Sequence, residues 1–186
     1  MVVTVVLLLA FLIIAYPLVI ALGAKLNPFT FIRKIANVAV FGFSTSSSAA
    51  TLPLNIKVCE EEFGVDESIA SFVLPLGMTI NMNGTAIYMG VCSIFAAEVY
   101  GLPLTMADQL TIVLMGVLAA VGTAGVPGAG LIMTTIIFTQ VGIPLEAVAL
   151  IAGVDRILDM IRTSINVVGD VASALVVTNL EGDLNK

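Results

Sequence analysis

A segment close to the carboxyl end of the chain carries ionisable side chains inside an otherwise apolar sequence. On a helix of about 3.6 residues per turn, six polar residues between positions 154 and 170 fall within one arc of about 100°: Asp155, Asp159, Arg162, Thr163, Asn166 and Asp170. The opposite face is apolar and consists of Ile157, Leu158, Ile161, Ile165 and Val168. An ionisable group at the centre of a bilayer costs at least about 2.5 kcal/mol, so such groups normally face a helix bundle or a wet cavity. We therefore expect the rest of the chain to pack around this polar face.

The composition is that of an integral membrane protein. Of the 186 residues, 59% are hydrophobic and 11% are charged, and the mean hydropathy is +1.13, which is far from the usage of soluble domains. We predict one all-α domain embedded in the lipid bilayer. The net charge of −6 comes largely from Glu60, Glu61, Glu62 and acidic residues near segment ends, so it does not indicate a nucleic-acid partner.

Several kinds of chemistry are excluded by the residue types. The sequence has no histidine, which argues against a zinc site, a haem ligand or a serine-histidine triad. Cys59 and Cys92 lie in different segments without metal-ligand spacing, and we interpret them as small apolar residues. Asp155 and Asp159 could form the aspartyl pair of an intramembrane enzyme, but Arg162 beside them would keep both ionised. We predict that the protein is not an enzyme and has no cofactor.

Residues 1–26 are predicted to hold the first transmembrane helix, which ends near residue 24. Its apolar run is about as long as a full span of ~20 residues, and no basic region precedes it, so we expect a span rather than a signal peptide. Lys25, Arg33, Lys34 and Lys57 follow this helix. The positive-inside rule places this basic stretch in the cytosol and predicts a multi-pass protein of the plasma (inner) membrane.

Residues 27–100 are predicted to form a re-entrant hairpin and a broken helix. Phe29 to Phe43 is apolar but too short to span, residues 44–51 are rich in Ser, Thr and Ala, and a second arm starts at Leu52-Pro53 and ends near Phe63. Irregular backbone at membrane depth must be buried in protein or line a cavity. The alternative is a surface Ser/Thr linker, which the tight apolar flanks disfavour.

The helix that follows, Ile69 to Tyr100, is interrupted by polar residues at 79–85. Two amides, two hydroxyls and Gly84 in this interruption predict freed backbone groups that bind a cation and a solute. The alternative is a kink that neighbouring side chains satisfy.

Residues 101–186 repeat the arrangement. A loop at 100–108 without Lys or Arg is predicted to lie outside, Gln109–Val121 and Leu131–Val141 are short apolar arms, and residues 122–130 form a tip of Gly and Pro. The close glycines are not a phosphate loop, because no strand precedes them and no Lys-Ser/Thr follows. Pro144 is predicted to begin the last helix, which ends near Thr178.

The two halves, 28–100 and 104–179, therefore form an inverted repeat with hairpins that enter from opposite faces. Two tips and two polar helix centres would meet near the membrane midplane. This arrangement is typical of a secondary transporter rather than of a channel, which needs a continuous pore.

Four motifs in this order resemble the glutamate transporter family, the dicarboxylate/amino acid:cation symporters: STSSSAATLP, NMNGT, GTAGVPGAG and DRILDMIRTSINVVGD. The similarity covers essentially the whole chain, which corresponds to the C-terminal half of the family's transport domain. It implies sodium-coupled symport of aspartate or glutamate by an elevator mechanism, in which a transport domain slides against a trimeric scaffold. The first residues resemble the family's sixth helix. The resemblance therefore implies a homotrimer if the scaffold half is supplied by another part of the protein or by another chain.

The resemblance also assigns roles to individual residues. It implies that Arg162 binds the side-chain carboxylate of the substrate and that Asp159 binds its amino group. The remaining substrate-binding residues that it implies are Ser46, Ser47, Ser48, Thr85, Val126, Pro127, Gly128, Thr163 and Asn166. For sodium it implies one site at Asp170, Gly77, Asn81 and Asn166, and another at Thr79, Ala120, Val121 and Thr123.

The chemistry of the two central residues supports these roles without the resemblance. Arg162 is always charged and can form paired hydrogen bonds with a carboxylate, and Asp159 about one turn away suits an ammonium group. A zwitterion with an extra carboxylate fits both. The alternative is an internal Asp159–Arg162 ion pair with a structural role.

Three alternatives stay open at this point. Asn83 stands where many sodium-coupled members of the family have Asp, which predicts fewer coupled sodium ions or a different ion, whereas the retained Asp170 favours sodium over proton coupling. A C4-dicarboxylate substrate would place a second carboxylate near Asp159. A non-transporting partner subunit would bind another membrane protein and show no sodium-dependent binding.

Overall fold

The computed structural model describes residues 2–182, and throughout this range the regular structure is helical. The helices are α1 (Val2–Ala24), α2 (Pro28–Thr45), α3 (Ser48–Phe63), α4 (Glu67–Ile80), α5 (Asn83–Val99), α6 (Met106–Val121), α7 (Ala129–Val141) and α8 (Ala147–Glu181). In α1, two π-helical turns, Phe11–Ala15 and Ile20–Ala24, lie on either side of a short α-helical stretch that contains Pro17. Within the described residues, three helical stretches are long and apolar enough to cross a membrane: Val2–Ala24, Glu67–Val99 and Ala147–Glu181. The prediction of an all-α, multi-pass membrane protein is therefore confirmed.

The long helix α8 is the centre of the fold. In the most apolar 18-residue segment of α8, 72% of the residues are buried. In the corresponding segment of α1 only 17% are buried, so α1 lies at the periphery of the fold. The first half of α8 contributes Ile151 and Leu158 to a core shared with α5, α6 and α7. Its second half contributes Val171 and Leu175 to a core shared with α1, α2 and α4. The polar face of α8 therefore lies where the two cores meet.

The helices α2 and α3 form an antiparallel hairpin. The rings of Phe31, near the start of α2, and Phe63, at the end of α3, lie 6.1 Å apart. The connection is only Ser46 and Ser47, and Ser47 accepts a hydrogen bond from the Ala50 amide as the N-cap of α3. The prediction that the second arm begins at Leu52-Pro53 is wrong, because this Ser N-cap starts the helix at Ser48.

The other predicted boundaries differ by a few residues. The interruption between α4 and α5 is confined to Asn81 and Met82 rather than extending over residues 79–85. The last helix begins at Ala147 rather than at Pro144 and continues to Glu181. The loop before α6 ends in a capping box, in which Thr105 and Asp108 exchange hydrogen bonds. The hydrogen bonds that the Asp108 carboxylate accepts from Thr105 lower the pKa of this carboxyl group.

Candidate functional site

A small cavity lies between the central turns of α8, the α2–α3 connection and the α6–α7 connection. Its volume is about 10 Å³, close to the space that one water molecule needs. Eight of the residues predicted to bind substrate line it: Ser46, Ser48, Thr85, Val126, Asp159, Arg162, Thr163 and Asn166. The structure thus brings together residues that lie more than a hundred positions apart in the sequence.

Arg162 is the largest side chain in this site and is 2% exposed. Its Nε donates a hydrogen bond of 3.1 Å to Asp159 Oδ1, and its Nη1 donates one of 3.2 Å to Asp155 Oδ1. The guanidinium carbon lies 4.2 Å from the ring centroid of Tyr88, a cation–π contact. Two carboxylates and an aromatic face therefore hold one buried cation in place, and the internal ion pair left open by the sequence is present.

The third nitrogen of this guanidinium makes an ion-pair contact but no hydrogen bond among the described residues. Nη2 lies 2.9 Å from Asp159 Oδ1, but in a direction unsuited to a hydrogen bond, and it has no hydrogen-bond partner within residues 2–182. A buried charged donor without an acceptor is unfavourable. An oxygen acceptor that enters the cavity would remove this cost.

The α6–α7 connection covers the ion pair with its backbone. The Gly128 amide donates a 2.8 Å hydrogen bond to Asp159 Oδ2. At Gly130, a Cβ atom would lie 2.7 Å from Arg162 Cζ, so only glycine lets the backbone come this close to the guanidinium. The glycine at position 130, in the first turn of α7, is therefore explained by the close approach of the backbone to Arg162.

The two connections also contact each other. Ser47 Oγ donates a 2.8 Å hydrogen bond to the Gly125 carbonyl, which also accepts a 3.1 Å bond from the Ala49 amide. Ser46 adopts a left-handed conformation with φ of 51°, and its buried hydroxyl has no partner among the described residues. The two hydrogen bonds to the Gly125 carbonyl thus join the α6–α7 connection to the α2–α3 hairpin and close the cavity on this side.

Replacing Ser47 by alanine is expected to weaken this closure. The variant loses the bond to Gly125 and the N-cap of α3, which together should lower the free energy of unfolding by about 1–2 kcal/mol. Thermal unfolding of the purified chain measures the change. Ser44→Ala is the matched control, because Ser44 is exposed and bonds only to the Val40 carbonyl of its own helix. Equal midpoints for the two variants would contradict the expectation.

The break between α4 and α5 is held by an amide of α8. Asn166 Oδ1 accepts a 2.8 Å bond from the Gly84 amide, and Asn166 Nδ2 donates to Thr85 Oγ1 at 3.0 Å and to the Met82 sulfur at 3.1 Å. Because one side chain satisfies backbone, hydroxyl and thioether groups, Asn166 fixes the start of α5 against the cavity.

A second polar cluster lies one turn further along α8. Asn81 Nδ2 donates to Asp170 Oδ1 at 3.0 Å and to the Asn166 carbonyl at 3.3 Å. A Cβ atom at Gly77 would lie 2.9 Å from Asp170 Oδ1. All four residues of the first predicted sodium site therefore come together around a carboxylate that is 1% exposed. Oxygen groups of this kind are the ligands that hard cations prefer.

The second predicted sodium set is more scattered. Thr123 lines the cavity, and its amide donates to the Ala120 carbonyl at 3.0 Å. Val121 and Thr79 are exposed, and the Thr79 hydroxyl bonds to the Leu76 carbonyl of its own helix. Among the predicted substrate residues, Ser47 and Gly128 contact the site through the hydrogen bonds above, whereas Pro127 is exposed and does not line the cavity.

The chain matches a known protein family. Residues 1–180 match the sodium:dicarboxylate symporter family. The chain belongs to this family. The glutamate-transporter resemblance of the four motifs is thereby confirmed, and the family is one of transporters rather than enzymes.

Individual proteins with similar sequences are named as excitatory amino acid transporters. The chain is 44% identical over 164 residues to an excitatory amino acid transporter of Caenorhabditis elegans, covering 88% of this chain and 33% of that protein. It is 43% identical over 164 residues to human excitatory amino acid transporter 2, covering 88% and 29%. For excitatory amino acid transporter 1 of Rattus norvegicus the values are 42% over 168 residues, 90% and 31%. The chain thus spans about a third of the length of these relatives.

Four residues that contact the candidate site or the backbone of α8 beside it were not among the residues predicted to bind the substrate or sodium. Tyr88 follows Thr85 by three positions and so shares its helix face, and Asp155 precedes Asp159 by one turn. Both spacings were visible in the sequence. Met82, whose sulfur faces Asn166, and Tyr16, whose hydroxyl donates to the Ile165 carbonyl at 2.9 Å, carry no comparable signal.

Proposed function

We propose that this symporter chain forms the part of a sodium-coupled carrier that binds an acidic amino acid, aspartate or glutamate. The observation that carries the proposal is the buried Arg162, balanced by Asp159 and Asp155, in a cavity covered by two glycine- and serine-rich connections. The names of the similar proteins support an excitatory amino acid as the solute. Since no bond of the solute has to be broken, no catalytic residue is assigned.

In this proposal Arg162 binds the side-chain carboxylate of the solute through its paired donors, and Asp159 binds the ammonium group. Thr163 and Asn166 bind the main-chain groups, and Thr85 and the two connections enclose the solute. A cavity of about 10 Å³ does not hold an amino acid, so binding requires Asp159 to release Arg162 and the connections to separate. The hydrogen bonds of Gly128 and Ser47 are the contacts that this separation breaks.

Sodium is proposed to bind beside the solute. One site is supported by the cluster of Asp170, Asn81, Gly77 and the Asn166 carbonyl. Because Asn166 also lines the cavity, it would couple the binding of sodium to the binding of the solute. Thr79, Ala120, Val121 and Thr123 are proposed as the second site, which requires Thr79 to move toward the α6–α7 connection. Asn83, which bonds to Asn81 at 2.6 Å, replaces a carboxylate that a further sodium ion would need.

Helix lengths support the proposed architecture. The helices α2, α3, α6 and α7 have 18, 16, 16 and 13 residues, which is shorter than the ~20 residues of an average span. We propose that residues 27–100 and 101–186 form an inverted repeat of two re-entrant hairpins, preceded by the span in residues 1–26. This unit would move as an elevator against a scaffold, within a homotrimer of the plasma membrane with its basic stretch in the cytosol.

A C4-dicarboxylate is the second candidate solute, because the description of the family names dicarboxylates. Asp159 distinguishes the two. Its carboxylate stabilises an ammonium group and repels a second carboxylate, so the acidic amino acid fits the site better.

Calorimetric titration of the purified chain with aspartate tests the proposal. We expect saturable heat in sodium chloride and a loss of at least tenfold in affinity when choline replaces sodium at equal ionic strength. Glutamate should compete with aspartate, and succinate should not. Equal aspartate affinity in both salts would contradict sodium coupling, equal competition by succinate would favour the dicarboxylate carrier, and the absence of any binding would favour a partner subunit.

A further inference from the structure

A further polar site lies at the open end of the α2–α3 hairpin, away from the cavity around Arg162. Two adjoining cavities of about 430 and 260 Å³ lie between the start of α2 and the end of α3, and they share Thr30, Lys34 and Glu62. Arg33 and Asn37 line the larger cavity. The position of this site follows from α1, because that apolar helix of 23 residues ends at Ala24, directly before the site. A helix of this length crosses the hydrocarbon core, so its end lies at the level of the lipid headgroups.

Charges of both signs line the larger cavity. Arg33 and Lys34 provide two cations and Glu62 a carboxylate. Within residues 2–182, Arg162 pairs with Asp155 and Asp159, and Lys57 pairs with Glu61. Neither Arg33 nor Lys34 forms an ion pair with a described carboxylate. Lys34 is held in place by a hydrogen bond to the Glu62 carbonyl and by a contact of 4.8 Å with the Phe63 ring. A ligand that carries a negative and a positive group would satisfy all three charges.

The same face of α2 changes from polar to apolar along the helix. Thr30, Arg33 and Asn37 are spaced by one turn each, and Val40 and Phe41 occupy the next turn, where they are 65% and 42% exposed. A headgroup bound at Arg33 would therefore continue into acyl chains along Val40 and Phe41. Arginine suits a phosphate group because its donors match two phosphate oxygens.

We propose that this site binds a phospholipid whose headgroup carries a phosphate and a primary ammonium but no carboxylate, that is, a phosphatidylethanolamine. Arg33 and Lys34 bind the phosphate, with Thr30 and Asn37 as additional donors, and Glu62 accepts hydrogen bonds from the ammonium. A choline headgroup has no N–H donor for Glu62, and a glycerol headgroup brings no positive charge. The proposal does not depend on the solute or on sodium.

Native mass spectrometry of the purified chain tests the site with three lipids of identical dioleoyl chains: phosphatidylethanolamine, phosphatidylcholine and phosphatidylglycerol. We expect phosphatidylethanolamine to bind about fivefold more tightly than either of the others. Arg33→Gln should weaken its binding about fivefold, since one cation near the membrane surface is lost. Glu62→Gln should remove the preference over phosphatidylcholine while phosphate binding remains.

Lys57→Gln is the matched control, because Lys57 lies at the same end of the hairpin, is exposed and does not line either cavity. It should leave all three affinities unchanged. Equal binding of the three lipids to the unaltered chain, a preference for phosphatidylglycerol, or an equal effect of Lys57→Gln and Arg33→Gln would overturn the proposal. Sodium and aspartate are left out of the measurement, so a failure of the transport proposal does not affect the result.

Discussion

Replacing Arg162 by cysteine is expected to abolish the binding of aspartate in the presence of sodium. The variant removes the only cation among the residues that line the cavity, so the side-chain carboxylate of the solute would be buried without a partner. Removing one member of a buried charge pair costs about 2–5 kcal/mol, which corresponds to a loss of roughly 30-fold or more in affinity. Calorimetric titration against the unaltered chain measures this loss.

The same substitution leaves Asp155 and Asp159 buried without their common counter-ion, so the fold must be examined separately. Arg162→Lys keeps the positive charge but not the paired donors of the guanidinium. We expect its affinity for aspartate to be higher than that of the cysteine variant and lower than that of the unaltered chain. Arg156→Cys is the matched control, because Arg156 lies on the same helix but is exposed. If the Arg162→Cys chain remains folded and binds aspartate with unchanged affinity, the assignment of Arg162 is wrong.

Replacing Gly84 by alanine is expected to cause a large loss of stability, because the added methyl group meets backbone atoms of α8. A Cβ atom there would lie 2.7 Å from the Arg162 carbonyl oxygen and 3.1 Å from the Arg162 Cα, so the added methyl group would meet backbone atoms. Neither atom can rotate away, and α5 would have to move from α8. Overpacking of this kind costs about 3 kcal/mol, which should lower the unfolding midpoint by roughly 5–10 °C. A thermal scan of the purified variant measures it.

The movement should also break the 2.8 Å hydrogen bond from the Gly84 amide to Asn166, so aspartate affinity is expected to fall in the same variant. Gly90→Ala is the matched control on the same helix, because a Cβ atom there meets nothing within 4 Å. Its midpoint should equal or slightly exceed that of the unaltered chain, since alanine favours the helix. A Gly84→Ala midpoint equal to that of Gly90→Ala would show that α5 and α8 are less closely packed than described.

Most of the binding chemistry was visible in the sequence because it lies on one helix. Asp159, Arg162, Thr163 and Asn166 share one face through the helical period alone, and an ion pair between positions 159 and 162 needs no other element. The short apolar arms and their Ser- or Gly-rich connections were likewise predicted from composition and length. The start of α3 was predicted wrongly because an N-cap depends on one serine side chain, which the composition of residues 44–51 does not distinguish from its neighbours.

The sequence by itself determined the helical membrane class, the polar face of α8 and the identity of the charged pair, because hydropathy and helical spacing are local properties. The tertiary structure alone decided which distant groups complete the site. It placed the Gly128 amide on Asp159, the Tyr88 ring on Arg162, and Gly84 and Asn81 against Asn166. These contacts join segments separated by tens of residues, and their distances depend on how closely the helices pack, which no local pattern encodes.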